Sequence, residues 1–383
     1  MNRIGFTLIS LVVAVGAYAH HSAAPHFDMD NPITVEGVIT ELRLVNPHAY
    51  VYFDVTDDAG EVANWRCELS GGTGMRRRGW TDDSLVPGQA FTITGAPARR
   101  EERVCYTNFM EFEDGTRIAR NDPPPGFGAS AAAEETPVVP EEWTAYLPNG
   151  QPNLGGPWVR QGMGGGMGPA PGGMGAPPGG AGAGAAAPGG MAGGPPGGGM
   201  GGGFPAPTEA GLAGAADYEQ PFDDPAIHCH PANIIFGFTH DSHVNDIYQT
   251  DDTVTIQYGY MDLVRTVHLD QTEHPDDIVP SVGGHSIGRW EGDVLVVDTV
   301  GFEQGVVFPL GDGLMHSADM QVTERFEVRN NGQILARAYV AHDPAFLQTD
   351  WVGESVFQRT SEPYRPYNCT ELSGDNNRRP APE

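Results

Sequence analysis

The sequence contains no lysine, so its 21 basic side chains are all arginines, against 50 carboxylates and a net charge of -29. The absence of lysine excludes catalysis through a lysine Schiff base. The shortage of basic residues argues against nucleic acid as a partner, because binding to a phosphate backbone needs a basic surface. The acidic balance favours solubility and attracts cations.

Long apolar runs are also missing, and the one short run lies at the N-terminus. Arg3 precedes apolar residues over 4–15, and Ala17-Tyr18-Ala19 then forms an A-x-A cleavage site. The run is too short to cross a bilayer. We therefore predict a signal peptide over residues 1–19. The mature chain would begin at His20, would have no transmembrane span, and would work in the periplasm or outside the cell.

Cysteine is scarce, with four in the chain: Cys67, Cys105, Cys229 and Cys369. An even number in an exported protein predicts disulfides. A Gly-rich stretch separates the cysteines two and two. The favoured pairs are therefore Cys67 with Cys105 and Cys229 with Cys369, and the second pair would join the start of a domain to its end.

The Gly-rich stretch divides the chain. Residues 162–216 are mostly Gly, Pro, Ala and Met, with almost no charge. Such a segment cannot bury a core, so we predict that it is disordered. The predicted organisation is a signal peptide 1–19, a first β domain 20–120, a linker 121–142, a second β domain 143–372 containing the insertion 162–216, and a disordered tail 373–383.

The first domain shows alternating apolar residues separated by turn residues, which predicts five strands. They begin near Ile33, Tyr50, Trp65, Phe91 and Val104. Five strands with a long first one favour a small OB-like antiparallel barrel. Residues 76–80 would lie between strands three and four, where such barrels often have a helix or loop.

The second domain also reads as β, with alternation over residues 254–258, 263–269, 294–297, 322–328 and 334–340. Asn331-Gly332 is a hairpin signal. We predict a second antiparallel barrel or sandwich. Gly156-Pro157-Trp158 resembles the G-x-W first strand of lipocalin-like barrels, with Arg325 as a cap on the tryptophan. The insertion would then follow this strand as a long loop, and the entropic cost of closing a loop grows only as the logarithm of its length.

Both domains carry motifs of known but uncharacterised groups. Residues 19–22, 35–38, 46–48, 77–81 and 84–88 resemble exported bacterial proteins of unknown function of the DUF6152 type. Residues 149–158, 284–293 and 323–326 resemble an uncharacterised family of secreted proteins from environmental bacteria. These resemblances imply domain limits and no particular activity.

The predicted mature N-terminus is a candidate copper site. His20 would offer its α-amine and its Nδ1, and a third nitrogen from His48 would complete a histidine brace. Amine and imidazole nitrogens suit Cu(II), which leads the divalent metals in affinity. His21 and His26 are alternative ligands. The methionines of the insertion add thioethers that suit Cu(I).

A second candidate metal site contains four histidines: His228, His230, His240 and His243. Four imidazoles in a short span could hold zinc or copper. Cys229 could be a further ligand instead of a disulfide partner. The alternative is a solvated loop beside a structural disulfide.

Residues 284–288 match the G-x-S-x-G pattern of serine hydrolases, with Ser286 at its centre. A nucleophile elbow needs a strand before the serine and a helix after it. Here a turn leading into a strand follows, which argues against a hydrolase. His285, Ser286, His316 and Glu324 remain candidates for a pocket lining.

Three classes of function are compatible with these features. The favoured prediction is an exported binding module that takes a metal ion, copper foremost, or a small molecule. The second is a secreted enzyme, either a copper-dependent redox enzyme or a serine hydrolase. The third is an envelope interaction protein in which the Gly-rich segment is a spacer, although the sequence indicates no particular protein partner.

Overall fold

The computed structural model describes residues 23–125, 139–140, 142–160, 204–239, 243–309 and 313–370. The described residues form two closed β-barrels, so the prediction of a mainly β protein is confirmed. The first barrel contains β1 (Ile33–Arg43), β2 (Tyr50–Thr56), β3 (Val62–Glu68), α1 (Gly72–Arg77), β4 (Ala90–Pro97) and β5 (Val104–Phe112), with β6 (Arg117–Ala119) added at its edge.

The first barrel has the strand order of an OB fold. β1 pairs with β2 and β4, and β3 closes the barrel by a parallel pairing with β5. α1 lies between β3 and β4, as the sequence predicted. Cys67 and Cys105 are direct partners in the closing pair and form a disulfide, with their Cα atoms 4.5 Å apart. The disulfide therefore fastens the one pairing that turns this sheet into a barrel.

The second domain contains eleven strands and three short α-helices within the described residues. They are β7 (Gly156–Arg160), α2 (Glu209–Gly214), α3 (Gln220–Asp223), α4 (Ile234–Thr239), β8 (Val244–Gln249), β9 (Thr253–Gln257), β10 (Val264–His268), β11 (His285–Glu291), β12 (Val294–Val300), β13 (Gly305–Phe308), β14 (Leu314–His316), β15 (Gln321–Arg329), β16 (Ile334–His342) and β17 (Trp351–Arg359).

Nine of these strands close the second barrel in the order β7-β8-β9-β10-β11-β12-β15-β16-β17. All neighbours are antiparallel except β10 and β11, which run parallel. The predicted hairpin joins β15 to β16, and its residues Asn330, Asn331 and Gly332 all have positive φ. Asparagine and glycine tolerate this conformation better than other residues, which explains the turn.

Side chains fill the interior of the second barrel. Every residue of α4 is buried, and the buried Asn233 caps this helix by accepting hydrogen bonds from the amides of Ile235 and Phe236. Glu324 lies on an inward position of β15 and pairs with two buried arginines, Arg265 and Arg337. Both guanidiniums are almost fully buried, so the charges are compensated inside the barrel.

Two sequence-based details of this barrel are wrong. Arg325 does not cap the tryptophan, because it follows the inward Glu324 on β15 and therefore points outward, where it pairs with Glu291 at 2.9 Å. Arg359 takes that place, 4.2 Å above the ring of the buried Trp158. In addition, residues 285–291 form strand β11, where the sequence suggested a turn that leads into a strand.

The end of the predicted disordered insertion is ordered. Residues 204–216 include α2, whose N-cap Thr208 accepts a hydrogen bond from the amide of Gly211 at 3.1 Å. Phe204 packs against the rings of Phe308 and Trp351. These aromatic contacts, which composition alone did not suggest, attach the segment to the barrel although Phe204 stays partly exposed. Residues 162–203 of the insertion and residues 373–383 of the tail lie outside the described residues.

The export signal cannot be compared with the structure, because residues 1–19 lie outside its described part. None of the helices in the described ranges is long and apolar enough to cross a membrane.

Candidate functional site

The two domains meet at the Asn46-Pro47-His48 loop, which joins β1 to β2 and contains a cis peptide bond before the proline. The Asn46 side chain donates to the Tyr367 carbonyl at 2.6 Å. The Thr370 amide donates to the Asn46 carbonyl at 2.8 Å. This loop therefore lies against the segment that carries Cys369, which forms the predicted disulfide with Cys229.

His48 points at a buried carboxylate. Its Nδ1 lies 3.1 Å from an oxygen of Glu68, the last residue of β3, although the two groups are not aligned as a hydrogen bond. The side chain of His48 is 31% exposed, whereas that of Glu68 is 6% exposed. A proton on Nδ1, on the carboxylate side, leaves Nε2 of a neutral imidazole as the nitrogen with the lone pair.

Glu68 is held as a carboxylate by its neighbours. Arg120 donates to it at 3.3 Å and also to the Leu69 carbonyl at 2.7 Å. Burial acts to raise the pKa of Glu68, but His48 and Arg120 outweigh it, so that the pKa is lowered. The site therefore offers a fixed negative charge behind the His48 ring.

The second domain adds a further carboxylate. Asp224 is buried, and it accepts a hydrogen bond at 2.9 Å from the amide of Ala226. Burial raises the pKa of Asp224 to about 6, although His48 and His228 act in the opposite direction. His48, in the first domain, is thus close enough to act electrostatically on a group of the second.

A third histidine reaches the same region from the N-terminal segment. The ring of His26 contacts that of Phe222 at 5.7 Å, and its charge also lowers the pKa of Glu68. We use the term junction cluster for three imidazoles and two carboxylates: His26, His48, His228, Glu68 and Asp224.

The junction cluster does not by itself provide a complete metal site. Among the residues that the structure describes, no group of three or more histidine, cysteine or acidic side chains is placed to hold a metal ion. His20 and His21 lie outside the described residues. Ala23, the first described residue, is three positions after His20, so an extended chain could carry His20 about 10 Å from it.

The described histidines of the second predicted metal site do not come together around one point. His228 and His230 are exposed, whereas His243 is buried with its ring 4.8 Å from that of Tyr367. Cys229 is in a disulfide and is not available as a ligand. Because His240 lies outside the described residues, the four-histidine site stays a prediction.

Ser286 lies inside the second barrel, and no histidine or carboxylate within the described residues is hydrogen-bonded to its hydroxyl. Its hydroxyl accepts a hydrogen bond from Nε of Arg265 at 2.8 Å and lies 3.0 Å from that of Thr299. A serine nucleophile needs a neighbouring base to take its proton. Neither partner can do so, and β11 continues through Ser286 without an elbow. The geometry therefore gives the hydrolase alternative no support.

The remaining pocket candidates do not share one pocket. Glu324 is linked to Ser286 only through Arg265, inside the filled barrel. His316 is buried on β14, its Nδ1 lies 3.1 Å from the Ser317 carbonyl, and burial lowers its pKa. His285 lies on the outer face of β11, because successive residues of a strand point to opposite sides.

Sequence reasoning found His48 and named His26 as an alternative, but it missed Glu68 and Asp224. Glu68 directly follows Cys67, so its position beside a predicted strand-end disulfide was the only available signal. The sequence carried no signal for Asp224, because one carboxylate among many in an acidic chain becomes distinctive only when the fold buries it.

Comparison with known proteins covers only the first domain. Residues 8–106 match a family of unknown function, DUF6152, and this region includes β1 to β4 and the start of β5. The family assignment of the N-terminal part is therefore confirmed. No curated protein and no solved structure matches the chain. The resemblance of the second domain to secreted environmental proteins stays a prediction.

Proposed function

We propose that this protein is an exported binding module of the bacterial envelope that holds Cu(II) at the mature N-terminal His20, with His48 as the third nitrogen ligand. The observation that carries the proposal is the approach of His48 Nδ1 to the buried Glu68 carboxylate, at 3.1 Å. Histidines that bind metals commonly direct the other ring nitrogen to a carboxylate, which fixes the ring and raises its basicity.

Electrostatics of the junction cluster supports a cation at this place. Glu68 is a buried carboxylate with a lowered pKa, and Asp224 adds a second acidic group from the other domain. Two acidic groups beside an imidazole favour a divalent cation over an anion. Because His48 is one-third exposed, a ligand from solvent or from the N-terminal segment can approach it.

Export is part of the proposal, since the free α-amine of His20 requires cleavage after Ala19. Both disulfides fit an oxidising compartment such as the periplasm or the extracellular space. A copper-dependent redox enzyme would need the same site, so binding must be tested before activity.

The test is a Cu(II) titration of the protein purified from the periplasm, after mass spectrometry has established its first residue. We expect a high-affinity site for one Cu(II) per chain that is lost in His20→Ala and in a form extended by one residue before His20. His48→Ala should weaken binding at least about tenfold, the smaller of the effects known for partners of metal ligands.

One variant tests whether Glu68 acts on copper only through His48, and another is a control for the removal of a histidine. Glu68→Gln keeps the shape of the side chain but removes its charge, so it should weaken binding less than His48→Ala does. His342→Ala removes an exposed histidine that pairs with Asp350 on the second barrel, and it should leave the affinity unchanged. Binding that is indifferent to both the N-terminal extension and His48→Ala would refute the proposal.

A further inference from the structure

Three histidines that belong to neither predicted metal site lie on the outer face of the second barrel, where the chain crosses from β10 to β11. These strands run parallel, with His268 opposite Ile287, so the chain must return across the barrel surface between them. Residues 269–284 make this crossover. Gly284, with φ +61°, ends it: a Cβ at this position would lie 2.6 Å from the Val300 carbonyl oxygen. The end of the crossover is therefore packed tightly against β12, and β11 begins directly after it at His285.

The crossover folds His274 back onto His285. The two Nδ1 atoms lie 2.8 Å apart, and the ring centroids are 5.1 Å apart with an angle of 75° between the planes. The ring of His268 stacks on that of His285, with centroids 5.2 Å apart. Three imidazoles therefore lie side by side on a partly exposed surface.

The contact between the two Nδ1 atoms has room for a single proton. One Nδ1 donates this proton and the other accepts it, because two Nδ1–H groups facing each other at this distance would repel. Burial lowers the pKa of both His274 and His285, and His274 and His268 lower that of His285 further. A lowered pKa favours the neutral imidazole, which is the form that binds metals.

The spacing of the two nitrogens suits chelation. For metal–nitrogen bonds of about 2.0 Å, two nitrogens 2.8 Å apart subtend an angle of about 90° at the metal. That is the angle between neighbouring ligands in the square-planar geometry of Cu(II). A tetrahedral zinc ion would need the nitrogens about 3.3 Å apart. To reach a common metal, each ring must turn so that its lone pair leaves the line between the two nitrogens.

The surroundings carry negative charge. His268 lies 3.9 Å from Asp270, and Asp298 acts electrostatically on His274. Glu273 is exposed beside His274 in the crossover. Asp298 itself is held by Arg289 at 2.6 Å and by Thr323 at 2.8 Å, so it contributes charge rather than a free ligand oxygen.

We propose that His274 and His285 form a two-imidazole chelate for Cu(II), in which both Nδ1 atoms bind the metal and water completes the coordination. The proton that lay between the two Nδ1 atoms moves through solvent to Nε2 of the ring that carried it, so both imidazoles stay neutral. The site is independent of the proposed N-terminal copper site, which is in the other domain. It would fix the crossover against β11 and so fasten the one parallel seam of the second barrel.

The test uses the full mature chain in a His20→Ala background, which removes the N-terminal chelate. Titration with CuCl₂ should show one remaining site, and His274→Ala or His285→Ala should weaken it at least about tenfold. His274→Gln can keep a hydrogen bond to His285 but not the metal ligand, so it should lose copper while the fold is kept. His342→Ala is the matched histidine control and should leave binding unchanged.

A second measurement follows the crossover itself. Copper should slow cleavage at Glu273 by a glutamate-specific protease in the His20→Ala background, and this protection should vanish with His274→Gln. The proposal is overturned if copper binds equally well after His274→Gln and His285→Ala, or if no site remains in the background protein. Failure of the N-terminal site would not affect either readout.

Discussion

Asp224→Asn should make the second domain more stable at neutral pH. The carboxyl is buried at the domain junction, and burial raises its pKa from 3.8 to about 6. A raised pKa means that the folded protein holds the proton more tightly than the unfolded chain does. Asp224 therefore contributes most to stability below pH 4, and this contribution is lost as pH rises towards 6.

The size of the effect follows from the two pKa values. At 1.36 kcal/mol per pH unit, the difference between 3.8 and about 6 corresponds to about 3 kcal/mol of stability lost at pH 7. Asparagine keeps an oxygen to accept the hydrogen bond from Ala226 and carries no charge at any pH. The stability advantage of Asp224→Asn should therefore grow by about 2.4 kcal/mol between pH 4 and pH 7, because about 0.5 kcal/mol is already lost at pH 4.

The assay is urea unfolding of the metal-free protein at pH 4, 5, 6 and 7, followed by tryptophan fluorescence. Four of the six tryptophans report on the second domain: Trp143, Trp158, Trp290 and Trp351. Asp58→Asn, at an exposed turn of the first domain, is the control and should show no such trend. A difference between wild type and Asp224→Asn that does not change with pH would refute the reasoning.

Two further predictions concern buried charge and barrel closure. Glu324→Gln leaves two buried guanidiniums without a counter-charge and should lower the free energy of unfolding by about 3–5 kcal/mol. The control Glu327→Gln breaks a surface pair on the same strand and should lower it by less than about 1 kcal/mol. Both are measured by the same urea assay. The double variant Cys67→Ala with Cys105→Ala should cost the first barrel about 4 kcal/mol, because the disulfide closes a loop with a sequence separation of 38 residues. An unchanged unfolding midpoint in either Glu324→Gln or the double cysteine variant would contradict these assignments.

Several features of the fold could be predicted from the sequence because their signals are local. Period-two alternation marked β1 to β5 in the first domain, and Asn331-Gly332 marked the hairpin between β15 and β16. The pairing of Cys67 with Cys105 followed from their separation from the other two cysteines. Trp158 was also placed correctly on the first strand of the second barrel.

Features that depend on which strands become neighbours could not be predicted in this way. Arg325 and Arg359 look equivalent in the sequence, and only the register of their strands places Arg359 over Trp158. Residues 204–216 looked disordered by composition, yet the barrel surface offers them Phe308 and Trp351 to pack against.

The sequence alone therefore determined the β architecture, the two-domain division and the cysteine pairing, and it drew attention to His48. Only the tertiary structure brought Glu68 and Asp224 to His48 from two different domains, and His274 to His285 across a crossover. The reason is physical. Strand patterning depends on residues a few positions apart, whereas the environment of a titratable side chain depends on groups that are distant in the chain and become neighbours only when the barrels close and dock.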